Sequence, residues 1–213
     1  NTALVNNAWP LLLSVFFWLF HSNNFLDYME LQRLISVSIS TLTIIPVYLL
    51  VRRFFEPKYA LIGALVFAFE PRLVQNSLLG ITDSLYILVG AIAIVLFFSK
   101  DVKVNCLSFG VIALSTYVRQ ESIFIFFIMC AFFWVRFSNK KKKTIFTFFI
   151  CILIFFSVLA PIQMYRYHAA GKDGVFSRIS ESWIQVNNSN QPALFVYSNG
   201  IITFFKFLLW VQV

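Results

Sequence analysis

Charge is what this chain has little of: 12% of its 213 residues are Asp, Glu, Lys or Arg, while 60% are hydrophobic, 27 of them Phe. A soluble domain must solvate its surface, and so few charges cannot do that, which excludes the soluble globular class and points to a membrane protein. Cysteine is also scarce. Cys106, Cys130 and Cys151 all lie inside apolar runs and match no metal-ligand spacing, which argues against a disulfide framework or a zinc site; they read as small buried hydrophobes. Acidic residues are few, and none precedes Asp27. Missing too are any soluble-type linker, any internal repeat and any low-complexity tract beyond the lysines at 140–143. No motif identifies a cofactor or demands a metal, and a divalent metal is not excluded. The net charge of +8 would suggest nucleic acid in a soluble domain, but here the basic residues sit in short connectors between apolar runs, where they report topology.

What is present is a series of apolar runs: Leu34 to Val51, Tyr59 to about Leu79, Leu85 to Phe98, Val104 to Val118, Ser122 to Val135 and Ile145 to Tyr165. Several are shorter than the roughly 20 residues that cross a hydrocarbon core of about 30 Å, so they must borrow polar residues at their ends or meet a thinned region. The fold class expected is all-α: a polytopic membrane bundle of about six to seven transmembrane helices with further helices on the outer interface. One domain covers 1–213, with an outer interfacial helix and loop at 1–33, the bundle at 34–165, an outer loop at 166–195 and a truncated apolar segment at 196–213. The chain starts at Asn1 and stops within the apolar run "FLLWVQV", so it is expected to be part of a longer protein.

Orientation follows from Lys and Arg. The connectors "RRFFEPK", "SKDVK" and "RFSNKKKK" are the basic ones and are expected on the cytoplasmic side. By parity, "EPRLVQNSLLGITDS", "YVRQES" and the segment from Arg166 to Ala193 face outward. The run Trp9 to Phe20 is too short to span; with Pro10 in its first turn it reads as a helix on the outer interface, a thin span being the alternative. Val175, Phe176, Ile179, Trp183 and Val186 fall at near-helical spacing and suggest another interfacial helix, and Asn187 to Ser189 fits a short glycosylation pattern. Lys206 lies within the final apolar run, so that run is a truncated span, a re-entrant helix or an interfacial piece.

The stretch "FAFEPRLVQNSLLGITDSLYILVG" places Glu70, Arg72 and Asp83 among apolar neighbours. Counting along helices from the basic connectors puts Asp83, Arg119 and Glu121 roughly 25, 24 and 28 Å away, all near the outer boundary. Glu70 is only roughly 18 Å from Lys58 and would sit deeper unless Pro71 ends the helix. A charge in hydrocarbon costs at least about 2.5 kcal/mol, so such residues face protein or a wet cavity. Glu70, Asp83 and Glu121 with Arg72 and Arg119 are therefore expected to surround one polar concavity. Arg there contacts phosphate through planar donors and carboxylates accept from sugar hydroxyls or a nucleophile. The plainer reading makes Thr82 or Asp83 a helix cap and Arg119 with Glu121 an ordinary interfacial pair.

The order of "NAWPLLLSVFFWLF", "RRFF" at Arg52 to Phe55, Pro71 with Thr82 and Asp83, and "RQE" at Arg119 to Glu121 resembles the GT-C class of membrane glycosyltransferases. It is most similar to the RgtA/B/C/D-like and dolichyl-phosphate-mannose protein mannosyltransferase-like families, over about Ala8 to Phe127; Gln120 stands where those families often have Pro. The resemblance implies inverting transfer of a sugar from a polyprenyl-phosphate donor to a protein, glycan or lipid acceptor, with a carboxylate as general base. It implies a multi-pass protein of the cell membrane or endoplasmic reticulum whose site faces the extracytoplasmic or lumenal side. The family's principal Asp lies in the first outer loop, before the Pro-Leu helix, and is expected upstream of Asn1. That leaves Glu70, Asp83 and Glu121 to shape the cavity, and Arg72, Arg119 and Arg166 to meet the donor phosphate. "MYRYH" at Met164 to His168 adds aromatic and basic groups at the interface. A transporter or flippase of polyprenyl-linked saccharides, and a non-catalytic protein derived from such an enzyme, are the alternatives. Single cysteines placed at Asp83 and at Lys142 are expected to react with impermeant thiol reagents from opposite sides of the membrane; labelling from one side contradicts the topology.

Overall fold

The computed structural model describes residues 8–137 and 141–170, and these form an all-α fold. The helices are α1 (Ala8–Leu19), α2 (Phe25–Arg52), α3 (Pro57–Ala68), α4 (Pro71–Leu78), α5 (Asp83–Phe97), α6 (Val102–Val118), α7 (Ser122–Phe137) and α8 (Lys141–Ala170). One compact unit ends at Ile162, and the last turns of α8, from Gln163, belong to a second. The segments expected as an outer loop beyond 170, the interfacial helix near Trp183, the pattern at Asn187 and the run 196–213 lie outside the described residues.

Three boundaries differ from the hydropathy reading, two of them for an evident local reason. α2 begins at Phe25, well before Leu34, because Asn24 in extended backbone caps it: its side chain accepts from the Leu26 N–H at 3.1 Å, and Asp27 sits favourably in the first turn. The polar "LDYMELQR" is thus helix rather than loop. The run from Tyr59 to Leu79 is two helices. Pro71 has no N–H and pushes Glu70 into extended backbone, at φ −62° and ψ 114°, so α3 stops and α4 starts anew. α8 in turn runs past Tyr165 to Ala170, with Pro161 inside it.

Burial differs from that of a water-soluble bundle: polar side chains sit among the apolar core residues, and many large apolar side chains face outward. The interior holds Ser36, Thr43, Ser84, Asn105, Ser108, Ser115, Thr116 and Ser122, all fully or nearly buried, while Phe69, Phe146, Leu153 and Val135 point outward. Hydrocarbon outside removes any reason to hide Phe and Leu, so packing and interhelical hydrogen bonds hold such helices together, and small residues let them approach. The described contacts follow that rule. Ser36 of α2 meets Ser84 of α5 at 2.9 Å, and Ser115 of α6 meets Ser122 of α7 at 2.8 Å. The Tyr117 hydroxyl donates to the Leu159 carbonyl of α8 at 2.8 Å, two residues before Pro161. Cys106 and Cys151, both buried free thiols, bring α6 and α8 together with sulfurs 3.0 Å apart. Around them, Phe109 touches Phe97, Phe126 and Phe133 edge-on, and Phe126 stacks on Phe155 at 3.9 Å between centroids.

α5 is the strut that α2 and α6 pack against, with α4 across its start. Gly80 makes the turn between α4 and α5 possible: at φ +69° it adopts the left-handed region, and its carbonyl accepts from Gln32 Nε2 of α2 at 2.7 Å. α1 is anchored by Trp9 and Leu13 in a small cluster with Ile35, against which Leu12 and Phe17 are partly buried, while Leu11, Val15, Phe16, Trp18 and Leu19 are exposed. Two helical stretches, Phe25–Arg52 and Thr144–Tyr165, are long and apolar enough to cross a membrane; α1, α3, α5, α6 and α7 are apolar but shorter.

Gly110 of α6 faces α8, where an added Cβ would stand 3.3 Å from Ile154 Cγ2. Gly110→Leu is therefore expected to force α6 from α8. Phe109→Ala leaves a void instead, costing about 3–5 kcal/mol. Thermal unfolding in detergent should show both losses, and a Gly110→Leu protein as stable as wild type contradicts the close helix approach.

Candidate functional site

Asp83, Arg119 and Glu121 meet at one end of the bundle. Asp83 opens α5, Arg119 is the extended residue that ends α6, and Glu121 lies in the turn before α7. Asp83 is the least exposed of the three at 18%, against 34% for Arg119 and 57% for Glu121. One Asp83 oxygen pairs with Arg119 Nη1, and the other accepts from Asn76 Nδ2 of α4 at 2.7 Å. The Nε and Nη2 edge of Arg119 faces the two Glu121 oxygens at 3.4 and 3.3 Å. Its guanidinium lies 5.6 Å from the centre of the Tyr86 ring, in cation–π range. The hydrogen bond to Glu121, with the nearby Asp83 charge, raises the Arg119 pKa above its usual value against the opposing effect of burial.

The capping reading of Asp83 gives way to this arrangement. Thr82 is the cap residue but makes no side-chain cap bond, and the Asp83 carboxylate bonds to Asn76 and Arg119 rather than to backbone. Asp83 still gains from the helix dipole at the first position of α5. Arg119 is likewise more than half of an interfacial pair, since it ties the end of α6 to the start of α5.

The other expected site residues are placed differently. Glu70 is the exposed residue before α4, without a side-chain cap bond; the helix break at Pro71 removes the need to bury it. Arg72, also exposed in the first turn of α4, is engaged in an interaction of its own. Arg166 lies in the last turns of α8, and its side chain is outside the described residues; Tyr165, Tyr167 and His168 of the same stretch are exposed. Asn76 and Tyr86 were not singled out by sequence reasoning. Tyr86 follows Asp83 by one helical step of three and so shares its face, a signal that was available. Asn76 depends on how α4 folds back, which no local pattern shows.

Asp83 and Asn76 line a crevice with Ser40, Thr43 and Ser84 of about 10 Å³, room for about one water and not for a sugar. Among the described residues no group of His, Cys, Asp and Glu could hold a metal ion.

The outward-facing apolar side chains, the apolar helices and a charged cluster at helix ends point to an all-helical membrane protein. The chain belongs to the dolichyl-phosphate-mannose-protein mannosyltransferase family, whose profile matches residues 8–165. It is thus a membrane glycosyltransferase of the mannosyltransferase-like kind, and the GT-C resemblance is borne out. No curated protein and no solved structure matches the chain.

Proposed function

We propose that this protein is a multi-pass membrane enzyme that transfers a sugar, with inversion, from a polyprenyl-phosphate donor to a protein, glycan or lipid acceptor on the extracytoplasmic or lumenal side. The observation that carries the reading is the geometry of Arg119 within a chain of this family: one edge is fixed by Asp83, and the other is closed only by an exposed carboxylate. A planar guanidinium edge of two N–H donors matches a phosphate. A donor phosphate takes the place of Glu121 on the Nε and Nη2 edge, while Asp83 and Asn76 keep Arg119 pointing outward. Glu121, once displaced, is an acceptor for sugar hydroxyls.

In the transfer, the acceptor oxygen attacks the anomeric carbon as the bond to the lipid phosphate breaks, and negative charge grows on the leaving phosphate. A fixed guanidinium beside that phosphate stabilises the developing charge without having to reorganise. No residue of this chain is assigned as general base: both Asp83 oxygens are occupied by Arg119 and Asn76. Arg72 and Arg166 are kept as secondary candidates for the donor phosphate, and Glu70 for the cavity rim. The excess of Lys and Arg in the connectors at the far end of α5 supports the outward placement of the Asp83 end. The short helices α5, α6 and α7 then cross a thin, protein-lined part of the membrane. The helix break at Pro71 lies beside this end, since α4 bonds Asp83 through Asn76, and not at mid-depth as a transporter of the alternating-access kind would have it.

Transfer measured on full-length protein in membranes, with a polyprenyl-phosphate sugar, is the test. Arg119→Ala is expected to lower kcat/KM by about 10- to 100-fold, the worth of charged hydrogen bonds, and Arg119→Lys to lose less. Unchanged transfer by Arg119→Ala, with normal insertion, overturns the assignment.

A further inference from the structure

The opposite end of α5 carries a second cluster of charge, mostly basic: of the acidic residues in its connectors, Glu56 pairs with Lys58 at 3.2 Å and Asp101 caps α6 through the Lys103 N–H. Arg136 of α7 donates to the Phe97 and Ser99 carbonyls at 2.6 and 2.7 Å and to the Phe98 carbonyl at 3.3 Å, and Arg53 reaches the Val95 carbonyl at 3.4 Å. The last carbonyls of a helix lack intrahelical partners and carry its negative dipole end, so these arginines satisfy α5. Carbonyl dipoles do not neutralise full charges, however. Arg53, Lys100 and Arg136 converge on a recess of about 360 Å³ that no carboxylate lines. Neither Arg53 nor Lys100 is in an ion pair among the described residues. The remaining walls are Phe97, Phe98, Phe132 and Val135, of which Phe132 and Val135 are turned outward, at 56% and 79% exposure.

We propose that this recess is a binding site for the phosphate headgroup of an anionic phospholipid. The walls decide between a lipid and a free phosphate compound. A soluble anion gains nothing from Phe132 and Val135, whereas a lipid places its phosphate against Arg53 and Lys100 and its first acyl carbons against those side chains. Basic recesses between helices at a membrane surface attract anionic headgroups by both terms. The site is distinct from the Asp83 and Arg119 cluster, which lies at the other end of the same helix, and it does not rest on the reading of that cluster. A bound lipid joins the ends of α2, α5 and α7 through charges that otherwise repel, and so steadies the loop end of the bundle.

The test is native mass spectrometry of the full-length protein released from micelles holding equal amounts of phosphatidylglycerol and phosphatidylcholine. Wild type is expected to retain phosphatidylglycerol preferentially. The double variant Arg53→Gln with Lys100→Gln should reduce that retention about 30-fold, the effect of removing two basic groups from an anionic surface. The charge-conserving pair Arg53→Lys with Lys100→Arg should keep it, which separates loss of binding from loss of fold. Lys58→Gln with Lys103→Gln removes the same charge outside the recess and should leave retention unchanged. Equal retention of both lipids by wild type, equal losses in the two Gln pairs, or loss in the charge-conserving pair overturns the proposal. Displacement of the lipid by millimolar inorganic phosphate shows instead that a free phosphate is the occupant, and overturns the lipid assignment.

Discussion

The pairing of Asp83 with Arg119 is the contact on which the charged end of the bundle depends. Asp83 is the less exposed partner, and a carboxylate at that depth needs a counter-charge; Arg119, at the end of α6, is placed to supply it. Neither residue could be apolar without losing the tie between α5 and α6 at this level. Asn76 extends the tie to α4 and Glu121 to the start of α7. Four elements are thus registered through one guanidinium and one carboxylate, and the outermost link, to Glu121, is the one left accessible.

The same economy governs the rest of the helix. α5 has mixed charge at its start and mostly positive charge around its end; of its buried residues, Ser84, Gly90, Ala91 and Ala93 are small enough for close packing, and Phe97 closes the helix. In hydrocarbon, small residues and hydrogen bonds hold helices, and full charges are driven to the ends. The two proposed sites follow that separation of charge: at one end a guanidinium edge from which a donor phosphate displaces Glu121, at the other a basic recess for a lipid headgroup.

Much of this was legible in the amino-acid order, and the reasons for the gaps are physical. Helix existence and class came from composition and from apolar runs, and α5, α6 and α7 lie close to the stretches those runs mark. Depth was legible as well: counting at about 1.5 Å per residue placed Asp83, Arg119 and Glu121 at one level, and the structure joins them. Azimuth was not legible. Depth alone also admits Glu70 and Arg72 to the site, whereas the turn at Gly80 and the fold of α4 decide which of its residues meets Asp83, and it is Asn76. Hydropathy also misses helix that is polar, as in the first turns of α2, where Asn24 rather than apolar periodicity sets the start. The basic connectors were read as signals of orientation alone, because convergence of Arg53, Lys100 and Arg136 from three separate connectors is a property of packing.

The measurement that bears most directly on the account is a double-mutant cycle between Asp83→Ala and Arg119→Ala, read as sugar transfer by the full-length protein in membranes. If Asp83 acts by holding Arg119 toward the donor phosphate, the second substitution adds little once the first is made. The coupling energy should then be about 1–3 kcal/mol, as for residues of one ion-pair network. Losses that add to within about 0.5 kcal/mol would show that the two residues act independently, and would contradict a site built on their pairing.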